Sequence, residues 1–278
     1  MHDHPASAQT VVVNNGDVRI QCRVHGSGAP IILLHGIPDW AGGWYHQIAA
    51  LERDHQLIVP SLRGFAHSSQ PVEAERYTML ELVSDVAAII DHFDLSSTGI
   101  VGHDIGGAIA WWAATMLGQH VRRLAVLSMP HPAPYVSAIS GDSRQQQASS
   151  YIQSFMQMAR DGALDSEQLS SWVSDPDLRT GLRAALDGSS PVALANYYIA
   201  NIQQAGQIDF KRMPRIKAPT MMIRGLADPY FLPHLFDQAG QYIDADIASV
   251  TLSGAGHFIH HDDAGRVNRY LKYWFSDE

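Results

Sequence analysis

The stretch TGIVGHDIGGAIAWWAA, residues 98–114, decides the fold. Its first part is an apolar run of the kind found in a strand covered on both faces, and its last part is typical of a helix. Between the two lies the charged Asp104, with glycines on both sides. A sharp strand-to-helix turn presents this side chain at the N-terminus of the helix, where the helix dipole and free backbone N–H groups stabilise negative charge.

The composition excludes several classes of protein. The 278 residues carry a formal net charge of −9 with no cluster of Lys or Arg, so a nucleic-acid or anionic-membrane surface is not expected. Cys22 is the only cysteine, which excludes an intrachain disulfide and a cysteine-based zinc site. We expect no metal and no cofactor.

The sequence has no pattern typical of a secretory signal or of a membrane span. The N-terminal MHDHPASAQT lacks the charged start and apolar run of a secretory signal, and no apolar stretch is long enough to cross a bilayer. The sequence therefore predicts a cytoplasmic protein that does not enter the membrane.

The order of elements predicts an α/β fold. Up to about residue 130, a hairpin around Asn15-Gly16 is followed by buried-type strands that alternate with helices, which indicates a mostly parallel sheet with helices on both faces. Helical stretches without a clear strand then follow, at 143–161, 166–186 and 190–204, before the alternation resumes with a helix at 233–243 and a last helix at 263–275. We predict a core domain and an inserted helical cap, divided as residues 1–131 and 215–278 for the core and 132–214 for the cap.

Three polar residues follow strands of this sheet. Asp104 comes after TGIVGH, Asp228 after TMMIRGLA and His257 after VTLSGAG. Ligands of parallel α/β sheets bind at the carboxyl ends of the strands, and a nucleophile, an acid and a base in this chain order match the α/β-hydrolase arrangement. The run His260–Asp263 is interpreted as a solvated helix start.

The motifs around these residues resemble those of the α/β-hydrolase family over almost the whole chain. GHDIGG is similar to its nucleophile elbow, with aspartate where most members carry serine. HGIPDWAGGW resembles the segment that supplies half of the oxyanion hole, which implies the backbone N–H groups of Ile37 and Ile105 as donors. Pro38, Trp40 and His103 lie beside these groups and are expected to line the substrate pocket. LRGFAHS is similar to a further family loop, but it has Ser61 and Ala66 where aspartate and glycine are usual.

An aspartate nucleophile narrows the chemistry. A carboxylate is ionised at neutral pH and displaces a leaving group from a saturated carbon, which gives an alkyl-enzyme ester that activated water then hydrolyses. Epoxides and carbon–halogen bonds both suit this route. Haloalkane dehalogenases hold the halide with tryptophan or asparagine, whereas this chain has Ile105 and Ile37 at the corresponding positions.

The segments SSYIQSFMQ and ALANYYIANI resemble the cap segments of epoxide hydrolases that carry two tyrosines. This resemblance implies Tyr151 and Tyr198 as the acids that open the ring, with Tyr197 as the alternative to Tyr198 if the helix is rotated. The resemblance implies an epoxide hydrolase that takes a small-molecule epoxide and water, and self-association as a homodimer. The alternatives are a haloalkane or haloacid dehalogenase and a non-catalytic binder of small molecules.

Overall fold

The computed structural model describes residues 8–276. Residues 1–7 and 277–278 lie outside the described residues, and with them most of the segment on which the predicted absence of a secretory signal rests. Among the described residues, no helix combines the length and the apolar character that a membrane crossing requires.

One sheet of eight strands forms the centre of the fold, in the spatial order β1-β2-β4-β3-β5-β6-β7-β8. The first two strands form the predicted hairpin, β2 also pairs antiparallel with β4, and all later pairings are parallel. The strands are β1 (Gln9–Asn15), β2 (Val18–His25), β3 (Ala29–Leu34), β4 (His55–Pro60), β5 (Thr98–His103), β6 (Val121–Leu127), β7 (Thr220–Gly225) and β8 (Ile247–Leu252).

Helices cover both faces of the sheet, as the sequence predicts. They are α1 (Tyr45–Leu51), α2 (Met79–His92), α3 (Ile105–Met116), α4 (Pro132–Gly141), α5 (Ser143–Ala148), α6 (Tyr151–Arg160), α7 (Ser166–Ser170), α8 (Pro176–Asp187), α9 (Pro191–Ala205), α10 (Ile259–Asp262) and α11 (Ala264–Phe275). Short 3-10 helices lie at Ala41–Trp44, Ala74–Tyr77, Gly118–His120, Phe210–Arg212 and Pro233–Tyr242.

The alternation of side chains along β3 shows how the two layers form. Ile32 and Leu34 pack into the core under α2 and α3, whereas Ile31 and Leu33 pack into the core under α1 and α11. Successive strand residues point to opposite faces, so a strand that is apolar throughout needs a cover on each side. The all-apolar runs of the sequence are therefore the central strands.

All six helices from α4 to α9 lie between β6 and β7 in the chain, where the sequence predicts the cap. Helix α4 is absent from the sequence prediction because two prolines open it, although a proline in the first turn needs no N–H partner. The predicted helix at 233–243 is a 3-10 helix, which begins at Pro233 and contains Gly240, a residue of low helix propensity. The division into a core and a cap stays a prediction.

Candidate active site

Asp104 occupies the sharp turn between β5 and α3. Its backbone angles, φ 53° and ψ −123°, lie in a region that non-glycine residues rarely adopt. The turn brings backbone segments so close together that only glycine fits beside it. A Cβ on Gly106 would lie 2.2 Å from the Leu34 carbonyl oxygen, and a Cβ on Gly102 would lie 2.3 Å from the Gly106 carbonyl oxygen. The glycines thus let the chain present a buried carboxylate at the start of α3.

The loops after β7 and β8 bring Asp228 and His257 to this carboxylate. His257 Nε2 lies 3.3 Å from Asp104 Oδ2, and His257 Nδ1 lies 2.9 Å from Asp228 Oδ2. The backbone N–H of Tyr230 donates to the other oxygen of Asp228 over 2.8 Å, which fixes the orientation of that carboxylate. The structure therefore joins the three polar residues that follow separate strands in the sequence.

The two carboxylates determine the protonation of His257. Burial alone would lower its pKa, but the hydrogen bonds and negative charges of Asp104 and Asp228 outweigh burial and raise the pKa to about 9. For Asp104 the balance is similar: burial favours the neutral acid, yet the contact with His257 holds the pKa below its ordinary value. The pair is therefore an ionised carboxylate beside a protonated imidazole at neutral pH.

The loop after β3 supplies a donor to the second oxygen of Asp104. The backbone N–H of Ile37 donates to Oδ1 over 3.1 Å. Ile105 is the first residue of α3, so its N–H belongs to the group at a helix start that has no partner within the helix. The two oxygens of Asp104 are therefore distinct, since Oδ1 is held by an amide and Oδ2 faces His257.

Two phenols share one cavity with Asp104. Tyr151 begins α6 and Tyr198 lies in α9, and both line a cavity of about 280 Å³ above the carboxylate. Burial and, to a smaller extent, the negative charge of Asp104 raise the pKa of each phenol well above its ordinary value, so both keep their proton. The cavity thus combines one anion with two neutral O–H donors.

Tyr197 also lines this cavity, but its hydroxyl is engaged outside the catalytic set. Its hydroxyl donates to the backbone carbonyl of Arg63 over 2.5 Å, and burial raises its pKa well above the ordinary value. Of the two neighbouring tyrosines, the structure therefore leaves the Tyr198 hydroxyl at the cavity and engages the Tyr197 hydroxyl in the loop after β4.

The structure corrects the predicted pocket wall, because Pro38, Trp40 and His103 do not line this cavity. The Pro38 carbonyl accepts the indole N–H of Trp172, and Trp40 lines a separate groove against Gly181 of α8. His103 is fully buried beneath the site, where its Nε2 lies 3.1 Å from the backbone carbonyl oxygen of His257. In the loop after β3 it is the backbone N–H of Ile37 that contacts Asp104, whereas His103 ends β5 and is enclosed by the loop that carries His257.

Most of the side chains that line this cavity could not be predicted from the sequence. The cavity is formed mainly by apolar side chains from α3, the β6–α4 junction and α4, α6 and α9, and helical spacing marks such residues only as core. The residues that line it besides Asp104, Tyr151 and Tyr198 include Met79, Ile105, Ala108, Trp112, Met129, Tyr135, Val136, Ile139, Ile152, Tyr197 and Phe231.

A buried network lies under the site. Asp39 Oδ2 accepts from His260 Nε2 over 3.0 Å, and both side chains are fully buried, so the predicted solvated helix start at His260 is wrong. One ligand atom from each of Asp39, His260 and His261 lies within 4.8 Å of the others, a spacing that could hold a metal ion. Burial would raise the pKa of Asp39, but the hydrogen bond from His260 and the nearby His103, whose Nδ1 lies 3.7 Å from Asp39 Oδ2, hold the pKa below its ordinary value.

The loop after β4, in which Ser61 and Ala66 depart from the family pattern, is held together by hydrogen bonds from its own serine hydroxyls. Ser61 Oγ donates to the Ala66 carbonyl over 2.6 Å, and Ser68 Oγ donates to the Ser61 carbonyl over 2.6 Å. Serine thus bonds to the backbone at the position where aspartate is usual. The hydrogen bonds described for these two serines go to the backbone and not to Asp104, Asp228 or His257.

Comparison with known proteins identifies the family of this chain. The model of the alpha/beta hydrolase fold family matches residues 29–264, so the chain belongs to that family. Epoxide hydrolase A of Mycobacterium tuberculosis is 25% identical over 96% of this chain and 96% of its own length. Mouse epoxide hydrolase 4 is 33% identical, but the match spans 40% of this chain and 32% of that protein. The crystal structure of Bacillus megaterium epoxide hydrolase in complex with an inhibitor superposes with a TM-score of 0.87 at 25% identity, over 97% of this chain and 100% of that one.

Proposed function

We propose that this protein is an epoxide hydrolase, which converts an epoxide to a vicinal diol through a covalent ester on Asp104. The observation that carries the proposal is the cavity in which an ionised carboxylate faces the phenols of Tyr151 and Tyr198. The names of the relatives support the same activity. An epoxide leaves as an alkoxide, a strong base, and a phenol that keeps its proton is suited to receive that charge.

The first step is ring opening. Asp104 Oδ2 attacks one carbon of the epoxide, the bond from that carbon to the ring oxygen breaks, and the oxygen takes a proton from Tyr151 or Tyr198. The carboxylate becomes an alkyl ester and the epoxide oxygen becomes a hydroxyl. The tyrosinate is reprotonated by solvent before the next cycle.

The second step is hydrolysis of the ester. His257 takes a proton from water, and the hydroxide attacks Cγ of Asp104. Negative charge develops on Oδ1, where the N–H of Ile37 already lies 3.1 Å away and Ile105 supplies the second amide. The bond from Cγ to the alkyl oxygen then breaks, the diol leaves with the proton held by His257, and Asp228 stabilises the imidazolium in between. The hydrogen that the hydroxide brought remains on the Asp104 carboxyl group and passes as a proton to His257, which restores the ionised pair.

The switch of His257 from acid to base follows from the charges beside it. In the free enzyme Asp104 and Asp228 together hold its pKa at about 9. Formation of the ester removes the charge of Asp104 and leaves burial, which lowers the pKa, against one carboxylate. The imidazole therefore loses its proton when a base is needed.

The dehalogenase alternative has no tryptophan N–H free to hold a halide among the described residues of the cap. Trp172 is the only tryptophan between residues 132 and 214, and its indole N–H donates to the Pro38 carbonyl over 3.2 Å. The alternative of a non-catalytic binder is disfavoured by the intact hydrogen bond from His257 to Asp228. Chloride release from a chloroalkane, or tight binding of an epoxide without turnover, would favour one of these alternatives.

A single turnover in ¹⁸O-water tests the proposal. With enzyme in excess over styrene oxide, hydrolysis of the ester places one heavy oxygen in the carboxylate of Asp104, which mass spectrometry detects in the peptide that contains this residue. Asp104→Ala should form no diol. An unlabelled peptide despite diol formation would overturn the ester mechanism, and absence of diol from a panel of epoxides would overturn the activity.

Three further predictions remain open. The cap at 132–214, the homodimer and the cytoplasmic location are part of this proposal. Limited proteolysis tests the first, sedimentation analysis the second and fractionation of the native cells the third.

A further inference from the structure

One hydroxyl in the cavity has no role in the proposed reaction. Tyr135 of α4 lines the cavity together with Asp104, and its ring packs edge-on against Phe231 at a centroid distance of 5.3 Å. Burial raises the pKa of its phenol, and the charge of Asp104 raises it further, so the hydroxyl keeps its proton. The side chains around it, such as Val136 and Ile139, are apolar.

A directed chain of hydrogen bonds ends at this hydroxyl. The fully buried Gln145 accepts the backbone N–H of Leu232 at Oε1 over 3.0 Å, which fixes which end of its amide donates. Its Nε2 donates to Ser149 Oγ over 2.9 Å and to the Tyr230 carbonyl over 2.7 Å. Ser149 Oγ, having accepted from Gln145, lies 3.3 Å from the Tyr135 hydroxyl.

The protons of this chain bear on what Tyr135 offers to a ligand. A serine hydroxyl has one proton, and with Gln145 donating to its oxygen this proton is free to go to Tyr135. When Ser149 gives its proton to Tyr135, the Tyr135 O–H is left to donate into the cavity. Hydrogen bonds in such a chain polarise one another, which makes the last O–H a better donor.

We propose that Tyr135 is a specificity-determining residue, which donates a hydrogen bond to an oxygen that the substrate carries beside its epoxide ring. This inference rests on the proposed epoxide hydrolase function and names its substrate class: epoxides with an ether or similar acceptor oxygen next to the ring and an apolar remainder. The apolar remainder matches the cavity wall, and the acceptor oxygen would otherwise lose its hydrogen bonds to water without replacement.

A matched pair of substrates isolates this hydrogen bond. Phenyl glycidyl ether and 4-phenyl-1,2-epoxybutane have the same length and differ by one ether oxygen in place of a CH₂ group. The quantity to measure is the ratio of kcat/KM for the ether to kcat/KM for the carbon analogue, because a general loss of activity cancels in it. We expect Tyr135→Phe to lower this ratio about fivefold, the size of one neutral hydrogen bond.

Two further variants complete the test. Ser149→Ala removes the proton that Ser149 gives to Tyr135, and we expect the ratio to fall in the same direction by about twofold; this variant decides the case if Tyr135→Phe does not fold. Tyr273→Phe, at a side chain that is 80% exposed and remote from the cavity, is the control and should keep the parent ratio.

The outcomes separate this inference from the function on which it rests. A parent-like ratio in both Tyr135→Phe and Ser149→Ala, with diol still formed, overturns the role of Tyr135 alone. An equal loss for both substrates also overturns it, since it would mark Tyr135 as a general contributor to ring opening. Absence of diol from both substrates overturns this inference alone if the parent enzyme hydrolyses other epoxides, and it overturns the proposed function as well if the whole panel of epoxides gives no diol.

Discussion

At the scale of single residues, His257 lies between two carboxylates that act on it differently. Asp228 remains charged throughout the proposed cycle, whereas Asp104 loses its charge when it forms the ester. Because His257 is buried, the loss of one neighbouring charge has a large effect on its pKa. This arrangement makes the protonation of His257 a measure of the state of Asp104.

Replacement of the nucleophile should therefore be visible at His257. We expect Asp104→Asn to lower the pKa of His257 from about 9, because burial and Asp228 remain while one negative charge is lost. NMR titration of the imidazole resonances measures the change. Asp244→Asn, which removes the carboxylate that pairs with Arg215, is the control and should leave the titration in place. An unchanged midpoint in Asp104→Asn would contradict the assigned coupling.

The phenols offer a second test at this scale. We expect the double variant Tyr151→Phe with Tyr198→Phe to lower the rate of ester formation by a factor of about 10² to 10⁴, as for loss of a general acid, while the protein stays folded. Rapid-mixing kinetics with styrene oxide measure the rate. Tyr197→Phe is the control, since its hydroxyl bonds to Arg63, and it should lower stability rather than ring opening. Ring opening at the parent rate in the double variant would reject the assignment.

At the scale of elements, a buried ion pair ties α2 to the loop after β4. Arg63 donates to both oxygens of Asp85, over 2.9 and 2.6 Å, and its side chain is fully buried. The hydrogen bond that Tyr197 gives to the Arg63 carbonyl joins α9 to the same loop. The loop thus connects the sheet, α2 and a helix over the active site.

Removal of one side chain of the Arg63–Asp85 ion pair should destabilise the fold. We expect Asp85→Ala to lower the free energy of unfolding by about 3–5 kcal/mol, because it leaves Arg63 buried without its main counter-charge. Urea denaturation followed by circular dichroism measures the loss. Asp17→Ala, which breaks the exposed pair with Arg76, should hardly change the midpoint. Similar midpoints for both variants would show that burial of the Arg63–Asp85 pair has no such effect.

The strands and the site residues on them could be predicted from the sequence, but the packing of the helices could not. The parallel strands and the positions of Asp104, Asp228 and His257 could be predicted, since strand ends of a parallel sheet meet at one edge whatever the loops do. The cavity wall could not, because it depends on how α4, α6 and α9 pack. Trp40 is the clearest case: proximity in sequence to Ile37 suggested the pocket, but the direction of its side chain is set by packing against α8.

At the scale of the whole molecule, buried histidines limit the pH range of the fold from both sides. Burial lowers the pKa of His131 to about 3 and that of His261 to about 4, so an unfolded chain takes up protons there as the pH falls below about 6.5. His257 acts in the opposite direction, because its pKa of about 9 lies above the unfolded value. The contribution of His257 to the free energy of unfolding is complete below about pH 6.5 and is lost as the pH rises through 9.

Stability should therefore be highest near pH 6.5 and fall on either side. We expect the free energy of unfolding, from urea denaturation at pH 5, 6.5, 8 and 9.5, to follow this course. His257→Gln should flatten the alkaline decline and leave the acid decline in place. A variant whose alkaline decline matches that of the parent would contradict the raised pKa of His257.

In the proposed mechanism, the unequal contacts of the Asp104 oxygens mean that one oxygen atom of this side chain is exchanged in every turnover. The Ile37 N–H holds Oδ1 in place while Oδ2 attacks the substrate. Oδ2 therefore leaves as part of the diol and an oxygen atom from water replaces it, whereas Oδ1 remains in the side chain through every turnover. Each diol thus carries the water consumed one cycle earlier. The first product formed after transfer to heavy-oxygen water should be light and the second heavy, unless the carboxylate rotates between cycles.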